Sequence, residues 1–80
     1  MNMFDQKPIL DMWVVYEHPA DFPDKYVVRR WTIMSNAPPL ASADRSLHDT
    51  LDEAREAMPR GLYNLKRLVG DDPAIKEVWI

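Results

Sequence analysis

Trp13-Val14-Val15-Tyr16-Glu17 is the stretch on which the fold turns. Its aromatic and β-branched residues suit a pleated strand, and a strand sends successive side chains to opposite faces. Trp13, Val15 and Glu17 therefore share one face, with Val14 and Tyr16 on the other. Two further runs have the same character, Arg29-Arg30-Trp31-Thr32-Ile33 and Ile75-Lys76-Glu77-Val78-Trp79. Parity within each run groups Arg29, Trp31 and Ile33, and likewise Ile75, Glu77 and Trp79. If the three strands share a sheet, one face is expected to carry Trp13, Glu17, Arg29, Trp31, Glu77 and Trp79. The opposite parity, Val14 and Tyr16, Tyr26 and Val28, Val78 and Ile80, then supplies a second, apolar face.

Outward from this stretch, residues 12 to 17 read as the first strand and 25 to 34 as the second. The link His18 to Asp24 is too short for a parallel crossover, so the pair is expected to be antiparallel. Pro19 and Pro23 deny the link any ladder donors, and Phe22 between them is expected to fold back as an apolar plug. Residues 1 to 11 form a loosely ordered leader in which Pro8 and Asp11 argue against regular structure, with Ile9 and Leu10 tucked onto the core. Ser35 to Ala43 reads as loop around Asn36-Ala37-Pro38-Pro39, and Asp44 to His48 as a short third strand.

Thr50-Leu51-Asp52-Glu53 fits a capping box. The Thr50 hydroxyl accepts from the third helical N–H, and Glu53 reaches back to the N–H of Thr50. The helix runs from Leu51 to about Met58, ended by Pro59 with Gly61 at the exit, and Leu51, Ala54 and Met58 form its apolar stripe. Barely two turns long, it must lie on the sheet to be stable. Gly61 to Val69 alternates as a strand, and Gly70-Asp71-Asp72-Pro73 turns the chain. Ala74 to Ile80 completes a second hairpin, with Ile75 to Ile80 as an exposed edge. The fold class is α+β: an antiparallel sheet of four to five strands with one short helix packed on one face. The chain order is β-β-(β)-α-β-β in a single domain, 1–80. The expected core is Val14, Tyr16, Val28, Leu51, Ala54, Met58, Leu65, Val78 and Ile80.

Composition sets the limits. Eighty residues with 46% apolar content, three Trp, three Tyr and two Phe suffice for one small core and exclude a disordered chain. No cysteine is present, so neither a disulfide nor a thiolate metal site supplements that core. The N-terminus lacks a basic segment followed by an apolar one. No stretch reaches the ~18 apolar residues of a membrane span, so a cytoplasmic protein without membrane attachment is expected. The net charge of −3 opposes non-specific binding to phosphate backbones.

Four constellations carry residue types suited to chemistry. Glu17-His18 with Asp21 and Asp24 offers metal-ligand types, but prolines break the segment into turns, where Asp bonds nearby backbone. Asp71-Asp72 lacks the alternating acids of a calcium loop. His18 as a general base with Asp21 or Asp72 has no nucleophile at a recognisable spacing, and His48 reads as a strand-end residue. No catalytic, metal or cofactor residue is therefore assigned, and no cofactor is expected. Arg29-Arg30-Trp31, with Arg60, Lys66 and Arg67, would suit single-stranded nucleic acid. The plainer account pairs Arg29 with Glu17 or Glu77 across strands and lets Arg30 snorkel past the helix. The best-supported expectation is a non-catalytic protein-interaction module. It would self-associate as a homodimer, or hold a protein partner, through the Trp-bearing face, because so short a helix cannot cover four strands. The alternative is a nucleic-acid-associated accessory protein using the Arg/Trp strand.

Taken together, Trp13-Val-Val-Tyr-Glu-His-Pro-Ala-Asp-Phe-Pro23, Val27-Val-Arg-Arg-Trp31, Thr50-Leu-Asp-Glu-Ala-Arg55, Pro59-Arg-Gly-Leu62 and Gly70-Asp-Asp-Pro-Ala-Ile-Lys-Glu-Val-Trp79 resemble a family of small uncharacterised bacterial proteins, a domain of unknown function. The resemblance spans roughly residues 12 to 80, is weakest from Ser35 to Ser46, and implies a small bacterial domain with no activity attached.

Overall fold

The computed structural model describes residues 7–65 and 73–80. Three strands come first: β1 (Pro8–Glu17), β2 (Tyr26–Met34) and β3 (Leu40–His48). The helix α1 (Leu51–Glu56) and the strand β4 (Ile75–Trp79) follow. The strands form one four-stranded sheet in the order β3-β2-β1-β4, antiparallel at every pairing. The order along the chain is β-β-β-α-β. Of the strand expected over Gly61 to Val69, the described part contains a single bridge, Asn64 to Trp79, flanked by the exchange between Tyr63 and Ile80 and by Leu65 N–H donating to the Val78 carbonyl. Lys66 to Val69, and the turn at Gly70 to Asp72, lie outside the described residues.

Two strand starts differ from expectation. Pro8 to Asp11 is strand rather than leader: proline is tolerated as the first residue of a strand, and Thr32 Oγ1 donates to Asp11 Oδ1 at 3.1 Å across β1 and β2. Ile9 and Leu10 are exposed instead of tucked onto the core. β3 begins at Leu40, well before Asp44, because it bulges. Between the Arg29–Arg45 and Trp31–Ala41 pairs, β3 spends four residues where β2 spends two.

The β1–β2 register decides the faces. Val15 lies opposite Val28 and Trp13 opposite Arg30, so β2 is one residue out of phase with the expected grouping. A one-residue slip moves every side chain of a strand to the other face. Trp13, Val15, Tyr26, Val28 and Arg30 therefore share the helix side, and Val14, Tyr16, Val27, Arg29 and Trp31 the other. On β4, Trp79 lies opposite Trp13 and Glu77 opposite Val15, as their parity required.

α1 settles on Val15 and Val28 through Ala54. It ends at Glu56, short of the expected Met58, which joins the same cluster from just beyond the helix, with Trp13, Tyr26, Leu51, Leu62 and Trp79 around them. Val15 and Ala54 are fully buried, and burying a valine side chain contributes about 1.5–3 kcal/mol. Val14, Val28, Ala54 and Met58 are buried as expected. Leu65, expected inside, is 45% exposed, while Val15 and Val27 are core residues that parity had not singled out. The Thr50 hydroxyl accepts from Glu53 N–H at 3.1 Å, but the Glu53 carboxylate reaches Asp49 N–H at 3.2 Å rather than that of Thr50. Asp49 also pairs with Lys25, which ties the start of β2 to the helix entrance. The Lys25 ammonium holds the Asp49 carboxyl below its ordinary value, by hydrogen bond first and by charge second.

Candidate functional site

The two sides of the sheet carry different polar chemistry. On the helix side, Glu77 is 6% exposed and its carboxylate accepts from four donor atoms. Arg55 Nε and Nη2 donate at 3.0 and 2.5 Å, Asn64 Nδ2 at 3.1 Å and Trp79 Nε1 at 3.2 Å. The Arg55 hydrogen bonds hold the Glu77 carboxyl below its ordinary value against the opposing effect of burial, with Trp79 assisting. Arg55 is raised in return, chiefly by its hydrogen bond to Glu77. Because Arg55 belongs to α1, Glu77 to β4 and Asn64 to the segment bridged to β4, this cluster clasps the helix to the sheet edge. The acceptors of Glu77 are thus filled by donors of the fold itself.

The helix-free side is built differently. Trp31 Nε1 donates to the Tyr16 hydroxyl at 3.3 Å, reaching diagonally across the Val14–Arg29 pair of the register. The Arg29 guanidinium carbon lies 5.7 Å from the Trp31 ring centre, and Arg29 Nε donates to the Ser42 carbonyl at 2.7 Å. Directly across β3 stands Arg45, so two like charges face one another, an arrangement that costs stability unless relieved. Arg45 finds relief in Asp21 at 3.1 Å and in the Phe22 ring, 6.0 Å from its guanidinium carbon. Arg29, half-buried, has no carboxylate partner among the described residues. Beside the two arginines opens a cleft of ≈ 650 Å³, lined by Tyr16, Glu17, His18, Pro19, Ala20, Asp21, Val27, Pro73 and Ala74 as well.

The six residues expected on one surface are thus divided. Trp13, Glu77 and Trp79 lie on the helix side, with Trp13 and Trp79 packed against the core, while Glu17, at the end of β1, lines the cleft of the other side. Arg29 and Trp31 lie on the other. The expected cross-strand pairs of Arg29 with Glu17 or Glu77 do not form: Glu17 is met by Lys76 at 3.4 Å and Glu77 by Arg55. Arg30 is exposed on the helix side, away from Arg29, and Lys66 and Arg67 lie outside the described residues. Among the described residues the open sheet edge is β3 rather than the expected Ile75 to Ile80, since residues 63–65 pair with the far side of β4.

His18 and Asp21 do line one cleft. Among the described lining residues there is no Ser, Thr, Cys or Lys to act as nucleophile, Asp21 is engaged by Arg45, and the His18 ring stands edge-on to Tyr26 at 5.2 Å. Asp72 lies outside the described residues. His18 has φ 48°, a left-handed conformation that a non-glycine residue adopts at some cost where the strand breaks into its turn. Arg45 and Phe22 were not singled out by sequence reasoning as site residues. The only signals were the alternation of the short third strand and an aromatic between two prolines.

No protein-family profile, curated protein or solved structure matches the chain. No helix among the described residues is long and apolar enough to cross a membrane.

Proposed function

We propose that the chain is a non-catalytic protein-interaction module whose working surface is the helix-free side of the sheet. One observation carries the reading. Trp31, Tyr16 and Arg29 are locked together by a hydrogen bond and a cation–π contact, and Arg45 stands beside them in direct cross-strand register. Tryptophan, tyrosine and arginine dominate binding hot spots because they bury large area at low conformational cost and retain polar specificity. The six-residue surface read from parity is revised accordingly: Arg29 and Trp31 remain, Glu17 borders their cleft, and Trp13, Glu77 and Trp79 serve the helix side. The partner is another protein or a second copy of this chain.

Selection of a displayed random-peptide library on the folded protein, with counter-selection on a folded Trp31→Ser variant, tests this reading. Ligands that bind the native chain and lose binding to Trp31→Ser support it. Ligands that bind both equally, or no ligand at all, would remove it.

A second reading, single-stranded nucleic acid, draws on Arg29, Trp31 and Arg45 sharing one side. The net charge of −3 and the acids Glu17 and Asp21 at the cleft oppose a polyanion. Oligonucleotide binding that falls steeply with added salt would establish it in place of the first, and absence of binding at low salt would dismiss it.

A further inference from the structure

We infer that the cleft beside Arg29 and Arg45 receives a carboxylate side chain from an acidic segment of the partner protein. The inference rests on the helix-free side being the binding surface, and it names what that surface recognises. Its basis is an imbalance of charge. Glu17 is held by Lys76 and Asp21 by Arg45, so Arg29 is the charge of the cleft left without a carboxylate among the described residues. A half-buried guanidinium with one backbone acceptor has given up hydration without recovering it from a counter-ion. An incoming carboxylate supplies what is missing.

The geometry is prepared for it. Ser42 occupies Arg29 Nε and Trp31 flanks its guanidinium, leaving the two Nη groups as the remaining donors of a fork matched to a carboxylate. Arg45 is held in parallel fashion, against Phe22 and by Asp21. Two guanidinium groups held in register lose little side-chain entropy on binding. A single carboxylate fits this site better than a phosphate chain. Only one positive charge goes unmatched among the described residues of the cleft, and the acids at the rim repel a polyanion.

The test uses two short synthetic peptides, one of Asp and Glu between Gly and Ser spacers, the other its Asn and Gln counterpart. Binding is followed through tryptophan fluorescence and amide chemical shifts, with the Trp31 indole N–H resonance as the local reporter. The acidic peptide is expected to bind and to shift the amides of Tyr16, Arg29 and Arg45, while the neutral peptide binds at least about tenfold more weakly. Arg29→Gln should weaken the acidic peptide about tenfold or more and abolish the preference, whereas Arg29→Lys should recover part of the affinity but not the fork. Amide spectra of both variants establish that they are folded. Equal binding of the two peptides, or unchanged affinity in folded Arg29→Gln, overturns the inference. Inorganic phosphate that displaces the acidic peptide with equal affinity overturns it as well, in favour of a general oxyanion site. Library ligands lost in Trp31→Ser but without acidic preference would sink this inference and leave the proposed surface standing. Absence of every ligand would sink both.

Discussion

The two sides of this sheet solve the same problem, a charge withdrawn from water, in opposite ways. On the helix side Glu77 is surrounded until its hydrogen-bonding capacity is filled, by Arg55, Asn64 and Trp79. On the other side Arg29 receives a single backbone carbonyl and an indole ring, and its charge stays without a carboxylate among the described residues. A cluster that satisfies itself holds elements together. A charge left open is available to something else. The contrast separates the part of the molecule that maintains the fold from the part we propose meets a partner.

The largest effect should come from breaking the closed cluster. Arg55→Ala leaves Glu77 buried without its cation, and is expected to cost about 2–3 kcal/mol in urea unfolding. That is below the cost of breaking a fully buried pair, because Arg55 is itself half exposed. The same cluster sets an acid limit. The folded-state pKa of Glu77 is depressed, so its contribution is fully present above its ordinary value of 4.5 and is lost as pH falls below that value through the lower folded one. Urea midpoints measured from pH 7 down to pH 3 should fall in the native protein and fall less in Glu77→Gln. Equal slopes would deny the clasp its role.

Val15→Ala, beneath the helix, should cost about 2 kcal/mol by the same measurement. Thr50→Ala should cost about 1 kcal/mol through loss of the helix cap. Smallest of all is Arg29→Gln, expected to change stability by no more than about 0.5 kcal/mol in either direction. If Arg29→Gln proved as damaging as Arg55→Ala, the two sides would not differ in kind.

Much of the fold was legible in the residues, and the failure that mattered had one source. The strands around Val14-Val15, Val27-Val28 and Val78 announce themselves by β-branched and aromatic content, and the helix start by Thr50 and Glu53. Parity within a strand is equally secure, which is why Glu77 and Trp79 fall on one side as expected, whereas Trp13 joins them only through the register of β1 against β4. Parity between strands depends on register. The link from His18 to Lys25 does not reveal its register in its composition: His18 N–H still bonds the Lys25 carbonyl at 2.9 Å, one pair beyond the strand ends. That single undetermined step put Trp31 and Arg29 on the wrong side. The Arg55–Glu77 clasp joins residues far apart in the chain, and only an acid at an inward position beside Trp79 hinted at it. Arg45 was hidden by the bulge in β3, whose extra residues blur any reading by alternation.

The division of the indoles between the two sides is the claim from which the rest follows, and proton NMR tests it directly. The Trp31 indole N–H should show nuclear Overhauser contacts to the Tyr16 ring, and the Trp13 ring to Trp79, with none from Trp31 to either of the other two indoles. Contacts joining all three rings on one side would mean that β2 is shifted by one residue against β1, and the account of both surfaces would fall with it.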